Sequence, residues 1–186
     1  MSVEDESKFY IREGKQVITE LERVLGTEGE YINISDTYFK YPNMPKGSTL
    51  RIRECEGSYT PTLKIQMDKN KKRLELEDLV AIGKELGVTL NSIGDISRNY
   101  ERMLTIEQRR YVLKYNGVEF AVDNVQYLDN KGNNFFEVNI FEAELKDTTG
   151  DITRRGVQEL LSKKKLLIKP CKQNKYELGM QKINAN

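Results

Sequence analysis

Residues 109–128 read RRYVLKYNGVEFAVDNVQYL, and this stretch decides how the rest of the chain is read. Two runs rich in valine and aromatic residues flank the dipeptide Asn116-Gly117. A two-residue hairpin turn that matches the twist of its strands needs positive φ at both central positions, which Asn and Gly supply at least cost. RRYVLKY and VEFAVDNVQYL are therefore predicted as antiparallel strands meeting at Tyr115 and Val118.

The same texture extends in both directions. Short alternating segments follow one another: VEDESKFYI (3–11), YINISDTYFKY (31–41), STLRIRECEG (48–57), YTPTLKIQM (59–67), KKRLELEDLV (71–80), DISRNYERMLTI (95–106) and NNFFEVNIFEAEL (133–145), with turns of Pro, Gly, Asn and Lys between them. Three helices interrupt them. GKQVITELERVLG (14–26) places Val17, Leu21, Val24 and Leu25 at helical spacing with Gly26 as a stop. LEDLVAIGKELGV (76–88) ends near Gly87, and ITRRGVQELLSKK (152–164) is the third. Eight or nine mostly antiparallel strands with a few helices make an α+β fold, and closure into a barrel would remove the sheet edges.

The 186 residues suit one domain, 1–186. Charged residues make up 32% of the chain, yet the net charge is only +1, so any electrostatic function is local rather than a field that draws the whole molecule to nucleic acid or membrane. Histidine is absent, which removes imidazole catalysis and imidazole metal ligands; the two cysteines, Cys55 and Cys171, stand apart with no zinc-type spacing. No run approaches the roughly 18 to 20 apolar residues that span a bilayer, and a soluble, reducing, cytoplasmic setting is expected.

Where the charges sit is more informative. Side chains alternate across a strand, so Glu4, Glu6 and Lys8 share a face, as do Arg51 and Arg53, and as do Arg73, Glu75 and Glu77, while Leu50, Ile52, Leu74 and Leu76 point the other way. One such strand is ordinarily a solvated surface. Several together, sorted into acid sets and base sets, repel unless opposite charge lies between. A divalent cation would bridge the carboxylates and a phosphate chain would bridge the cations.

Glu4-x-Glu6-x-Lys8, SDTYF (35–39), TLRIR (49–53), TLK (62–64), Arg73-x-Glu75-x-Glu77, Asp123-x-Val125 and the late acidic FFEV (135–138) occur in an order that resembles the CYTH family, the triphosphate tunnel metalloenzymes. The resemblance implies an eight-stranded antiparallel β-barrel with flanking helices, forming a tunnel for triphosphate with Mg²⁺ or Mn²⁺ held by glutamates. It implies Glu4, Glu6 and Lys8 as catalytic residues. Metal would be held by Glu4, Glu6 and Glu137, with Glu75, Glu77 and Asn139 as further candidates. Lys8, Arg51, Arg53, Lys64 and Arg73 would hold phosphate oxygens, joined by Arg102 and Arg110 from the second half and by Lys175 in a terminal loop. Two departures stand out: Asn139 occupies a position where the family carries a second glutamate, and Lys40 follows TYF where the family favours Asp. A slipped register would use Glu142 and Glu144 instead, which lie on the opposite face from Glu137 because the spacing is odd.

The expected activity is metal-dependent hydrolysis of a triphosphate, whether inorganic triphosphate, thiamine triphosphate or a nucleoside triphosphate. Adenylyl cyclisation of ATP, as in class IV adenylyl cyclases, is the alternative, and a non-catalytic polyphosphate- or nucleotide-binding module is the third reading. The expected partner is thus a triphosphate-bearing small molecule. Membrane is excluded, and an RNA 5′-triphosphate end is the one nucleic-acid ligand that fits; a homodimer stays open.

Overall fold

A computed structural model describes residues 6–66 and 73–185. Nine strands form a single sheet in the order β5-β4-β3-β2-β6-β7-β8-β1-β9, with every pairing antiparallel. The strands are β1 (Glu6–Ile11), β2 (Glu30–Lys40), β3 (Thr49–Cys55), β4 (Ser58–Gln66), β5 (Arg73–Leu76), β6 (Glu101–Tyr115), β7 (Val118–Leu128), β8 (Asn134–Leu145) and β9 (Leu167–Pro170). Helices α1 (Gly14–Leu25), α2 (Leu79–Leu86), α3 (Ile93–Asn99), α4 (Asp151–Lys163) and α5 (Lys175–Ile183) complete it.

The hairpin at 109–128 forms as its turn chemistry dictates: Asn116 and Gly117 have φ of 44° and 71°, and Tyr115 pairs with Val118. The expected closed eight-stranded barrel is corrected to an open nine-stranded sheet among the described residues. Its ends are β5, four residues long, and β9, which adds a strand beyond β1 and carries Pro170. Pro and a short run both suit an edge, where a missing N–H disturbs no ladder.

The two faces of the sheet differ in character. One is covered by helices. Val17 and Leu21 of α1 and Val157 and Leu161 of α4 pack on Tyr111, Leu113, Phe120, Val122, Phe141 and Ala143 of β6 to β8. Ile82 of α2 and Ile96 of α3 pack on Phe39, Leu50, Ile52 and Leu63 of β2 to β4. The opposite face carries the charges and, toward one end, an apolar bed of Tyr38, Leu104, Ile106, Val125, Tyr127 and Ile140 on which α5 rests through Leu178. That seat is tight: a Cβ on Gly179 would lie 2.7 Å from both Leu104 and Tyr127, so only glycine lets the helix approach this closely.

Two elements depart from expectation. The segment 95–106, read as one strand, begins as helix α3, started by the Ser92/Asp95 capping box, and turns extended only at Glu101. The C-terminal segment expected as a loop is helix α5, started by the reciprocal Asn174/Glu177 capping box. No helix among the described residues is long and apolar enough to cross a membrane.

Candidate functional site

Cross-strand pairing places the charges in rows on the face opposite α1 and α4. On β2 and β3, Asp36 pairs with Arg53 and Tyr38 with Arg51. On β6 and β7, Arg110 pairs with Asp123. On β1 and β8, Lys8 pairs with Glu142 and Glu6 with Glu144. On β4 and β5, Lys64 pairs with Glu75. Directly opposed residues on one face sit within contact of each other, so each pairing is also an electrostatic pairing.

The side chains use these placements. Asp36, 2% exposed, accepts from Arg53 Nε at 2.8 Å and Nη2 at 2.7 Å, from Arg51 Nη1 at 3.5 Å and from Gln108 Nε2 at 3.3 Å. Asp123, fully buried, accepts from Arg110 Nε and Nη2 at 2.8 Å each and from Lys175 Nζ at 2.8 Å. Glu142 takes Arg110 Nη2 on one oxygen and, on the other, Lys175 Nζ at 2.8 Å, with Lys8 Nζ at 3.8 Å. Lys8 also meets Glu6 at 3.1 Å, and Lys64 meets Glu75 at 2.9 Å. Lys175 reaches this cluster because it is the first residue of α5, directly after the cap at Asn174.

The ionisation of these groups follows from their surroundings. Burial alone would raise the Asp123 and Glu142 carboxyls, but Lys175 and Arg110 outweigh it and hold both below their ordinary values. Burial likewise works against the Lys8 ammonium, yet Glu142 and Glu6 raise its pKa. Glu6 moves the other way: burial, then the nearby Glu142, push it up despite Lys8. Arg53 is held charged chiefly by its hydrogen bonds to Asp36.

Not every residue expected at the site is brought to it. Glu4 lies outside the described residues. Glu77, just past β5, is exposed, while Arg73 opens β5 in register with Gln66 and by alternation shares the strand face of Glu75. Two placements correct the expectation. Glu137 and Asn139 fall on the helix-covered face, where both accept from Asn124 Nδ2, at 2.7 and 3.1 Å; strand alternation sets them opposite to Glu142 and Glu144, which share the face of Glu6 and Lys8. Arg102 follows a register shift between Tyr38 and Phe39 and pairs with Phe39 on the helix-covered side, away from Arg110. Glu144, the slipped-register alternative, joins the charged rows, as do Asp36 and Gln108, which were not singled out for a role there. Gln108 alternates with Arg110 on β6, and Asp36 is placed by its cross-strand pairing with Arg53.

The CYTH domain profile matches residues 3–174. The chain belongs to the CYTH family. Its fold is shared by solved CYTH-type structures: HpAC1 from Hippeastrum, a candidate adenylyl cyclase described as having a dominant triphosphatase activity, is 16% identical with a TM-score of 0.61, covering 96% of each chain. A candidate adenylate cyclase from Bacillus halodurans is 22% identical with a TM-score of 0.56, covering 95% of this chain and 96% of its own. A conserved protein from Pyrococcus furiosus is 22% identical with a TM-score of 0.56, covering 95% and 99%. No curated protein matches the sequence significantly.

Proposed function

We propose that this CYTH protein hydrolyses a triphosphate bound along the charged face, with that face of the sheet serving as the wall of a triphosphate tunnel. One observation carries the reading. Six cations from five elements, Lys8, Arg51 and Arg53, Lys64, Arg110 and Lys175, share one face. Arginine forks suit phosphate oxygens bidentately, and a chain of phosphates supplies negative charge over the length that such a spread of cations spans. Arg51 Nε is buried and has no hydrogen-bond partner among the described residues.

A divalent cation fits the acidic end of the site. Glu6 stands opposite Glu144, and burial, with the charge of Glu142, raises the Glu6 pKa. These hard oxygens are the donors that Mg²⁺ or Mn²⁺ prefers, although no group of three or more acidic or thiol side chains converges among the described residues. Glu6 and Glu144 would hold the ion, joined by Glu4, and it would neutralise phosphate charge as a Lewis acid. Arg53 and Arg110 bind the phosphates and stabilise charge at the transferred phosphoryl group, and Lys8 meets the phosphate next to Glu6. A water oxygen bonds to the terminal phosphorus, the bridging P–O bond breaks, and orthophosphate leaves the diphosphate remainder.

The HpAC1 description, which joins a cyclase assignment to triphosphatase activity, keeps adenylyl cyclisation as the second reading. Purified protein incubated with tripolyphosphate or ATP and Mg²⁺ or Mn²⁺ tests both. Orthophosphate supports hydrolysis, and cyclic AMP with pyrophosphate supports cyclisation. Tight binding without turnover under either metal supports a binding module. Free thiols at Cys55 and Cys171 agree with a reducing, cytoplasmic setting.

A further inference from the structure

Asp36 stands under the site rather than in it. Its carboxylate is 2% exposed, and all four of its contacts go to Arg53, Arg51 and Gln108. The grip on Arg53 is side-on, using Nε and Nη2, so one edge of the guanidinium is fixed while the Nη1 edge is left for another anion. Asp123 grips Arg110 through the same two nitrogens. Both are cross-strand pairs, on β2/β3 and on β6/β7, and both lie on the same face of the sheet. The site therefore holds two like-built Arg–Asp pairs. The one on β6/β7 is tied further into Glu142 and Lys175, whereas the one on β2/β3 depends on Asp36 alone for its carboxylate.

We infer that Asp36 is a positioning residue: it aims Arg53, and with it Arg51, so that their free donors meet the phosphoryl group transferred in the reaction proposed above, on which this inference rests. The competing account is that Asp36 only neutralises two half-buried arginines. The two accounts differ in what they predict for Asp36→Asn. The amide keeps the shape but offers one acceptor and points N–H donors at donors, so Arg53 loses its side-on lock and Arg51 and Gln108 lose their shared oxygen. The site also gains net positive charge, which favours holding a polyanion in the ground state. Aim is lost while attraction is kept. Turnover should fall and KM should not rise, because misplacement by about an ångström can cost roughly a hundredfold in rate.

The experiment uses wild-type protein, Asp36→Asn, Arg53→Lys and the double variant. Tripolyphosphate hydrolysis is normalised to folded protein, and the arginine Nε–H signals are followed by ¹⁵N NMR with and without tripolyphosphate. The expected result is a kcat lowered about tenfold to a hundredfold in Asp36→Asn with KM unchanged or lower. The Arg53 Nε–H signal should be shifted or broadened, and the double variant should be no worse than the weaker single variant, since both act through one guanidinium. A lowered melting temperature with kcat per folded molecule retained, or effects that add, overturns the inference. Wild-type protein that leaves tripolyphosphate intact sinks the triphosphatase reading instead. Even then, an unchanged Arg53 signal in Asp36→Asn overturns the positioning role, and a released one upholds it.

Discussion

Replacing Glu142 by Gln tests the charge arrangement most directly. Glu142 is 7% exposed and is shared by Arg110, Lys175 and Lys8, whose positive charges are otherwise opposed by Asp123 and Glu6. The substitution keeps volume but removes one negative charge and turns an amide N–H toward cationic donors. Breaking a buried pair by removing one partner costs about 3–5 kcal/mol. Lys8 and Lys175 keep 18% and 14% of their side-chain surface in water, which points to the lower end, about 3 kcal/mol. For a chain of 186 residues this corresponds to a melting temperature lower by about 6–12 °C. Circular dichroism melts at pH 7 and low salt measure it. Added tripolyphosphate should restore more stability to the variant than to wild type, because the anion supplies the missing charge. The pH dependence has a definite sign. Asp123 and Glu142 lie below their ordinary values of 3.8 and 4.5, so their stabilisation is present above those values and is lost as pH falls through the lower folded ones. The gap between wild type and variant should therefore narrow below about pH 4. A variant melting within about 2 °C of wild type at pH 7 would refute the view that Glu142 balances this cluster.

Arg53→Ala should lower kcat/KM for tripolyphosphate about a hundredfold while moving the melting temperature far less, since Asp36 keeps Arg51 and Gln108; unchanged kinetics would remove Arg53 from the site. Glu6→Gln should raise the Mg²⁺ concentration needed for half-maximal activity. In wild type that requirement should climb as pH falls through the raised Glu6 pKa, where protons compete for the carboxylate, and in the variant the climb should be shallower; parallel metal titrations across pH decide it. Gly179→Ala adds a methyl 2.7 Å from Leu104 and Tyr127 and should cost about 1–3 kcal/mol. It should also raise hydrogen exchange in α5 and at Lys175, and normal protection there would show that the helix is not seated as described.

The sheet was legible wherever local chemistry and hydrophobic period agreed. Asn116-Gly117 set the β6/β7 register, and Gly26 and Gly87 end α1 and α2 in left-handed caps. Helix α3 was hidden because it is short and runs directly into β6 at Glu101, and the Ser92-x-x-Asp95 cap was the signal to weigh. Helix α5 was hidden by its polarity: its buried stripe is little more than Leu178 and Gly179, a match to the apolar bed that only the folded sheet creates. In the site, Lys8, Arg51, Arg53, Lys64, Arg110 and Lys175 could be placed by alternation and resemblance. Glu137 was favoured over Glu142 on its match to the acidic motif, although the odd spacing already set the two on opposite faces, and Arg102 was displaced by a bulge that no local residue announces.

The cations of this face are engaged by carboxylates: Arg51 and Arg53 with Asp36, Arg110 and Lys175 with Asp123 and Glu142, Lys8 with Glu6, and Lys64 with Glu75. On the proposed reading, an anion that binds here would have to exchange with incumbents, outbidding or shifting several carboxylates at once. A chain of linked phosphates would compete with many of them together, whereas orthophosphate or chloride would touch only one or two. Discrimination by length would then follow from the ion pairs themselves.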